Sequence, residues 1–123
     1  MKKETCQKAG EFGKCPFVTA QQLLKGKWAI LIMHELNEGP KRFGELRKSI
    51  DITQATLSSQ LKKMEEEGLI LRTIYPEVPP KVEYTLTDIG KEFHIVLDSI
   101  EKWGNAYIAY LKKKAWLKVS FKS

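Results

Sequence analysis

A helical period of hydrophobic and polar positions runs from Ile52 to Glu67. Thr53 is the predicted N-cap of this helix, and Gly68 is its predicted end. The opposite, polar face begins with small and hydroxyl side chains, continues with lysines, and carries no carboxylate before Glu65. Positions three and four residues apart form the apolar face: Leu57, Leu61 and Met64.

The polar face of this helix suits an approach to a negatively charged surface. Short side chains near a helix N-terminus let the backbone come close to another molecule, and exposed lysines favour an anionic one. A helix that enters the major groove of DNA needs this layout. The same pattern is also typical of an ordinary amphipathic helix whose polar face is only solvated. The elements predicted before and after this helix are therefore needed to distinguish the two interpretations.

Three shorter helices are predicted before this one. Pro16 opens the first over Phe17–Leu24, Trp28–Leu36 forms the second, and Phe43–Ile50 forms the third. The second is apolar on nearly every side, which predicts a central, buried helix. The third helix, a tight turn at Asp51 and the helix that follows have the order of a helix-turn-helix, although many helical pairs share this spacing.

After Gly68 the period changes from helical to extended. Leu69–Tyr75 and Val82–Leu86 are rich in β-branched and aromatic residues, which predicts two strands. The intervening PEVPPK contains prolines that cannot donate ladder hydrogen bonds, so it is predicted to protrude as a loop. A hairpin directly after a candidate recognition helix is a wing; the alternative is a plain two-stranded connector.

A long final helix is predicted from Asp88 to about Lys113, with Thr87 as its N-cap. One small domain cannot cover so long an apolar stripe, so part of it should be buried against another chain and part against the first helix. The stripe consists of Ile89, Phe93, Val96, Leu97, Ile100, Trp103, Tyr107, Tyr110 and Leu111.

These elements give a mainly α fold with a small β-hairpin wing. The 123 residues suffice for one domain with a core. Three parts are expected: a flexible polar arm over 1–14, a winged helix-turn-helix domain that includes the dimerisation helices over 15–113, and a basic and apolar C-terminal tail over 114–123.

Positive charge is concentrated near the predicted helix-turn-helix. The formal net charge is +6. Six lysines and arginines lie between Lys41 and Lys63 against Glu45 and Asp51, which suits a polyanion but does not separate DNA from RNA or from an acidic lipid surface. No apolar run has the length of a membrane span and the N-terminus lacks a signal-peptide core, so a cytoplasmic protein without a membrane partner is expected.

The chemistry of the side chains favours a binding protein over an enzyme. No nucleophile-base-acid grouping or glycine-rich phosphate loop is apparent, and neither a metal site nor a cofactor is predicted because the cysteines and histidines lack ligand spacing. If Pro16 begins a helix, Cys15 is its N-cap, where the helix dipole and Lys14 would favour the thiolate that an oxidant or electrophile sensor needs. A small, buried and unreactive Cys15 is the alternative. Cys6, in the polar arm, is either a resolving thiol or incidental.

Several segments together resemble the HxlR family of winged-helix transcription regulators, relatives of the MarR group. The similarity covers about Cys15–Trp103 and is most specific in GKW at Gly26–Trp28, GPKRFGEL at Gly39–Leu46 and YPEVPPKVEYTLT at Tyr75–Thr87. The resemblance implies a homodimer on an inverted repeat in a promoter, with N- and C-terminal helices at the interface. It also implies that the cysteine before Pro16 senses oxidants or electrophiles in some members.

The predicted function is sequence-specific binding of double-stranded DNA by a homodimer, with any small-molecule effector unknown. A winged-helix module that binds another protein is the alternative. The residues predicted to contact DNA are Arg42, Gln54, Ala55, Thr56, Ser58, Ser59, Lys62, Lys63, Arg72 and Lys81. Those predicted at the dimer interface are Phe17, Phe93, Val96, Leu97, Ile100, Trp103, Tyr107 and Tyr110.

Overall fold

The computed structural model describes residues 10–122, the side chains of 119–122 excepted. The described chain forms two compact units, of which the first ends at Lys91 and the second begins at Glu92. The predicted order of a helix-turn-helix followed by a hairpin wing is confirmed. The elements in chain order are α1 (Pro16–Leu24), α2 (Ala29–Asn37), α3 (Phe43–Ile50), α4 (Gln54–Glu66), β1 (Ile70–Tyr75), β2 (Lys81–Leu86), α5 (Asp88–Lys91) and α6 (His94–Lys122).

The core of the first unit lies between α2, α4 and the hairpin. As predicted, α2 is central, with four of its nine residues buried, while His34 on the same helix is exposed. Burying these apolar side chains supplies the main favourable free energy of folding. The buried side chains of α2, α3 and α4 are Ala29, Ile32, Met33, Leu36, Leu46, Leu57, Leu61 and Met64.

A three-residue turn joins α3 to α4. Asp51 ends α3 in the left-handed region with φ +52°, which a short polar side chain tolerates better than a bulky one. Ile52 is buried and anchors the turn in the core. Thr53 is the N-cap of α4, as predicted, and its Oγ1 accepts a hydrogen bond from the Thr56 N–H at 3.3 Å. The turn therefore fixes where α4 begins.

Gly68 ends α4, as predicted, in a geometry that needs glycine. Its φ is +80°, and its N–H donates to the Glu65 carbonyl at 3.0 Å. The Leu69 N–H donates to the Met64 carbonyl at 3.0 Å, which completes a Schellman motif. Since both Met64 and Leu69 are buried, the chain leaves α4 along the core and enters β1 directly.

The hairpin is antiparallel, with Ile70 paired to Leu86 at one end and Tyr75 to Lys81 at the other. The hairpin also pairs with Lys41, which forms an isolated β-bridge with Tyr84 that the sequence did not predict. The Lys41 N–H donates to the Tyr84 carbonyl at 3.0 Å, and the Tyr84 N–H donates to the Lys41 carbonyl at 2.8 Å. The segment that leads into α3 is thereby tied to the wing.

Thr87 joins the end of α4 to the start of α5. Its Oγ1 accepts from the Gly90 N–H at 3.1 Å, which caps the short α5, and donates to the Gly68 carbonyl at 2.6 Å. Gly90 is buried, and a Cβ on it would collide with the Leu69 carbonyl oxygen. Glycine is therefore required at this close approach for packing, not for its backbone angles.

The final helix differs from the prediction at both ends. The prediction of a single helix from Asp88 is wrong, because α5 ends at Lys91 and α6 begins at His94. Gly90, a poor helix former, lies in the short first piece. At the other end α6 continues to Lys122 and reaches 29 residues. No helix among the described residues has both the length and the apolar character needed to cross a bilayer.

Candidate nucleic-acid interface

The outer face of α4 is open to solvent, while its inner face is anchored in the core. Leu57, Leu61 and Met64 are buried, so the rotation of the helix about its axis is fixed. The six α4 residues predicted to approach DNA bases are all exposed: Gln54, Ala55, Thr56, Ser58, Ser59 and Lys62. The burial pattern thus agrees with the two faces read from the sequence.

The hydroxyl groups on this face differ in their freedom. Thr53 Oγ1 donates to Thr56 Oγ1 at 2.8 Å, so the Thr56 side chain belongs to the cap of α4. Ser58 and Ser59 are exposed and make no side-chain hydrogen bond within the described part of the chain. Their hydroxyls can donate to or accept from a base edge without breaking an internal bond.

A small groove beside α4 brings two cations together. It has a volume of about 280 Å³ and is lined by Ser58, Leu61, Lys62, Glu65, Arg72 and Tyr84. The side chains of Lys62 and Arg72 form no ion pair within residues 10–118. Arg72 pairs with Tyr84 across the hairpin, so the wing holds it next to the polar face of α4.

Two other predicted phosphate contacts are already engaged inside the protein. Lys81 Nζ lies 3.3 Å from Glu83 Oε2 and 5.2 Å from the centre of the Tyr75 ring. Lys63 Nζ lies 3.8 Å from Glu67 Oε2. Both ion pairs follow from local spacing, because Lys81 and Glu83 lie on the same face of β2 and Lys63 and Glu67 lie about one helical turn apart. Both lysines are half-buried, so they are less available to an external anion than Lys62 or Arg72.

A second open groove lies at the start of α4, and its lining includes Thr53 and the predicted phosphate contact Arg42. It also includes two cations that were not among the predicted contacts, Arg47 and Lys48. Arg47 and Lys48 are exposed on α3 and have no ion pair among the described residues. Both residues contribute to the positive charge counted in the sequence between Lys41 and Lys63. Their position beside the start of α4 depends on the turn at Asp51 and is visible only in the structure.

Cys15 occupies the predicted N-cap of α1, with Pro16 as the first helical residue. Its state differs from the exposed thiolate considered from the sequence, because Cys15 is 1% exposed and disulfide-bonded. Its carbonyl accepts from Thr19 Oγ1 at 2.8 Å, and Lys14 pairs with Glu11. Cys6, the other cysteine of the sequence, lies outside the described residues.

The predicted dimer residues are mostly exposed in the single chain. Phe17 on α1 is exposed, as are Val96, Ile100, Trp103, Tyr107 and Tyr110 on α6, whereas Phe93 is half-buried and Leu97 is already buried. Three of these aromatic rings form a ladder along α6. The Trp103 and Tyr107 ring centres are 5.5 Å apart, as are those of Tyr107 and Tyr110.

Comparisons with known proteins agree with this architecture. The HxlR-like helix-turn-helix model matches residues 23–112. The transcriptional regulator YdeP of Bacillus subtilis is 41% identical over 98 residues, which cover 79% of this chain and 77% of that protein.

Two solved structures of regulators are also similar. The redox regulator HypR in its reduced form superposes with a TM-score of 0.75 at 33% identity, over 80% of this chain and 99% of HypR. The reduced transcriptional regulator YodB from B. subtilis superposes with a TM-score of 0.67 at 39% identity, over 74% of this chain and 91% of YodB. From its winged-helix fold and these matches, the chain belongs to the HxlR-like helix-turn-helix family of transcriptional regulators.

Proposed function

We propose that the protein is a homodimeric regulator that recognises a specific duplex DNA sequence by placing the N-terminal half of α4 in the major groove. One observation carries the proposal: α4 exposes Gln54, Ala55, Ser58 and Ser59 while its opposite face is locked in the core. Small and hydroxyl side chains allow close approach to base edges, and specificity comes from such contacts.

The basic side chains around α4 serve as phosphate contacts in this proposal. Arg72 and Lys62 line one groove, and Arg42, Arg47 and Lys48 line the other. Contacts to phosphate set the register of a protein on DNA and give affinity without sequence choice. One group lies at the start of α4 and the other beside its later residues, so cations accompany the helix where phosphates would border a major groove.

A two-fold dimer would present two copies of α4 to the DNA. Exposed apolar side chains on α1 and, separately, along α6 support such an interface, because exposed apolar patches are commonly covered by a partner. Symmetric half-sites should then be separated by about one helical turn, roughly 34 Å. An inverted repeat is the DNA sequence that has this symmetry.

We also propose that the oxidation state of Cys15 modulates DNA binding. Cys15 is disulfide-bonded here, and the similar protein HypR is a redox regulator. Cys15 is the N-cap of α1, and the exposed Phe17 lies two residues further along the same helix. A change in the bonding of Cys15 would therefore act first on α1 and on the interface proposed there.

Ser59→Glu should abolish sequence-specific binding, because it places a carboxylate on the face that meets the anionic DNA. Ser59→Ala removes the hydroxyl without adding charge, and we expect about a tenfold loss, the equivalent of one hydrogen bond. Gel-shift titrations of both variants on the cognate site and on a scrambled duplex measure the effect. Specific binding by Ser59→Glu at wild-type affinity would show that α4 does not read the site.

Arg72→Ala and Lys81→Ala form a matched pair on the wing. Arg72 has no ion pair in the described structure, whereas Lys81 is held by Glu83, so Arg72→Ala should weaken binding to all sequences and Lys81→Ala should do so less. The plot of log K against log salt should lose about one unit of slope for Arg72→Ala. Equal slopes for Arg72→Ala and the wild type would remove Arg72 from the phosphate contacts.

After reduction of the protein with dithiothreitol and removal of the reductant, treatment with diamide should change the footprint of the wild-type protein on DNA flanking its own gene, and Cys15→Ser should abolish the response. Cys6→Ser, assayed in parallel, shows whether the second cysteine takes part. Mass spectrometry of the treated protein identifies the bond that forms. Identical footprints for the wild type with and without diamide would eliminate the thiol switch and leave the DNA-binding proposal untouched.

A further inference from the structure

The first two turns of α4 contain no charged side chain. Residues 54–61 read QATLSSQL, and the first lysine of the helix is Lys62. In the major groove of DNA, arginine and lysine are the side chains that recognise guanine, and aspartate and glutamate accept from the amino group of cytosine. The start of the helix therefore lacks the side chains that are best suited to reading a G·C pair.

One exposed side chain in these two turns can make a bidentate contact with a base. Glutamine recognises adenine, because its amide oxygen accepts from the N6 amino group while its amide nitrogen donates to N7. Gln54 is exposed and makes no side-chain hydrogen bond among the described residues. Gln60, the other glutamine of α4, is half-buried and its Nε2 atom is enclosed by the protein. Gln54 is thus the amide that α4 offers to a base.

The backbone at Gln54 is held from both sides. Ile52 is buried before it, and Leu57 is buried after it. Between them Thr53 caps the helix, so that Gln54 is the first residue of α4. In helix-turn-helix proteins the N-terminal residues of the recognition helix contact base edges. A glutamine at this place combines a fixed backbone with a side chain that is free to meet a base.

The exposed neighbours of Gln54 suit the partner base of adenine. Ala55 is exposed and presents a methyl group, and apolar groups of this kind contact the C5-methyl group of thymine. Ser58 and Ser59 carry hydroxyls that donate or accept, so they contact any base and add no preference of their own. The chemistry of this surface therefore favours A·T pairs.

Lys62 lies too far along the helix to share a base pair with Gln54. Eight residues separate the two, or about 12 Å at 1.5 Å of rise per residue. Stacked base pairs are only about 3.4 Å apart. Lys62 shares a groove with Arg72 instead, where both are proposed to contact phosphate.

We propose that Gln54 recognises an adenine in each half-site and that the base pairs facing the first two turns of α4 are A·T pairs. The amide forms two hydrogen bonds with the adenine, and Ala55 packs against a thymine methyl group of the same base pair or the next. The inference rests on the proposed recognition of DNA by α4 and adds the identity of the bases, which that proposal leaves open.

Selection of bound duplexes from a randomised pool tests the assignment. The wild-type protein should enrich sites with A·T pairs in each half. Gln54→Arg should replace one adenine per half-site with guanine, because arginine is the bidentate partner of guanine. Gln22→Arg is the matched control: it adds the same charge at an exposed position of α1 and should leave the selected sequence unchanged.

A modified base tests the contact at a single atom. In 7-deazaadenine the N7 acceptor is missing while pairing with thymine is kept. Placed at the adenine that Gln54→Arg exchanges, it should weaken wild-type binding about tenfold, the equivalent of one hydrogen bond. Gln54→Ala should bind the natural duplex roughly 10- to 100-fold more weakly than the wild type. It should bind the natural and the modified duplex equally, since both changes remove the same contact. Gel-shift titrations measure these affinities.

A guanine selected by Gln54→Arg, together with equal binding of the two duplexes by Gln54→Ala, supports the assignment. An unchanged adenine in the Gln54→Arg selection would overturn it, as would a G·C-rich wild-type site or a further loss when Gln54→Ala meets the modified duplex. In each of these cases sequence-specific binding itself would stand. A pool without any sequence enriched by the wild type would instead refute sequence-specific recognition, and this inference with it.

Discussion

The burial of one face of α4 is the constraint on which the rest of the structure depends. Leu57, Leu61 and Met64 lock that face into the core, and the neighbouring residues are consequently held outward in a fixed orientation. Each such side chain contributes about 1.5–3 kcal/mol when it is removed from water. A recognition surface on a helix is specific only if the helix cannot rotate, so the same apolar residues serve stability and function.

The capping interactions complete this arrangement by fixing where α4 begins and ends. Thr53 and Gly68 set its two ends, and Thr87 ties its C-terminal end to the strand that returns from the wing. The bridge between Lys41 and Tyr84 attaches the same hairpin to the segment before α3. The base of the wing is therefore hydrogen-bonded to the helix-turn-helix, and Arg72 lines the same groove as Lys62. Cations at defined positions around a rigid helix match a regular polyanion such as duplex DNA.

Much of this could be predicted from the sequence because the determining signals are local. Thr53 and Gly68 form their capping contacts with residues that are close in sequence, and the helical spacing of the apolar residues of α4 can be read directly from the sequence. The contact of Lys81 with the Tyr75 ring depends on strand register, and the bridge to Lys41 joins residues more than forty positions apart. The burial of Cys15 and the interruption between α5 and α6 likewise depend on packing that no short motif encodes.

The central claim is that the exposed face of α4 is the surface that meets DNA. Backbone amide shifts, recorded by NMR while an inverted-repeat duplex is added to the isotope-labelled protein, test this claim residue by residue. We expect the largest changes at residues 54–59 and 62 and at Arg72, with small changes in the buried α2. Saturable binding with its largest changes elsewhere, and none over residues 54–62, would contradict the account.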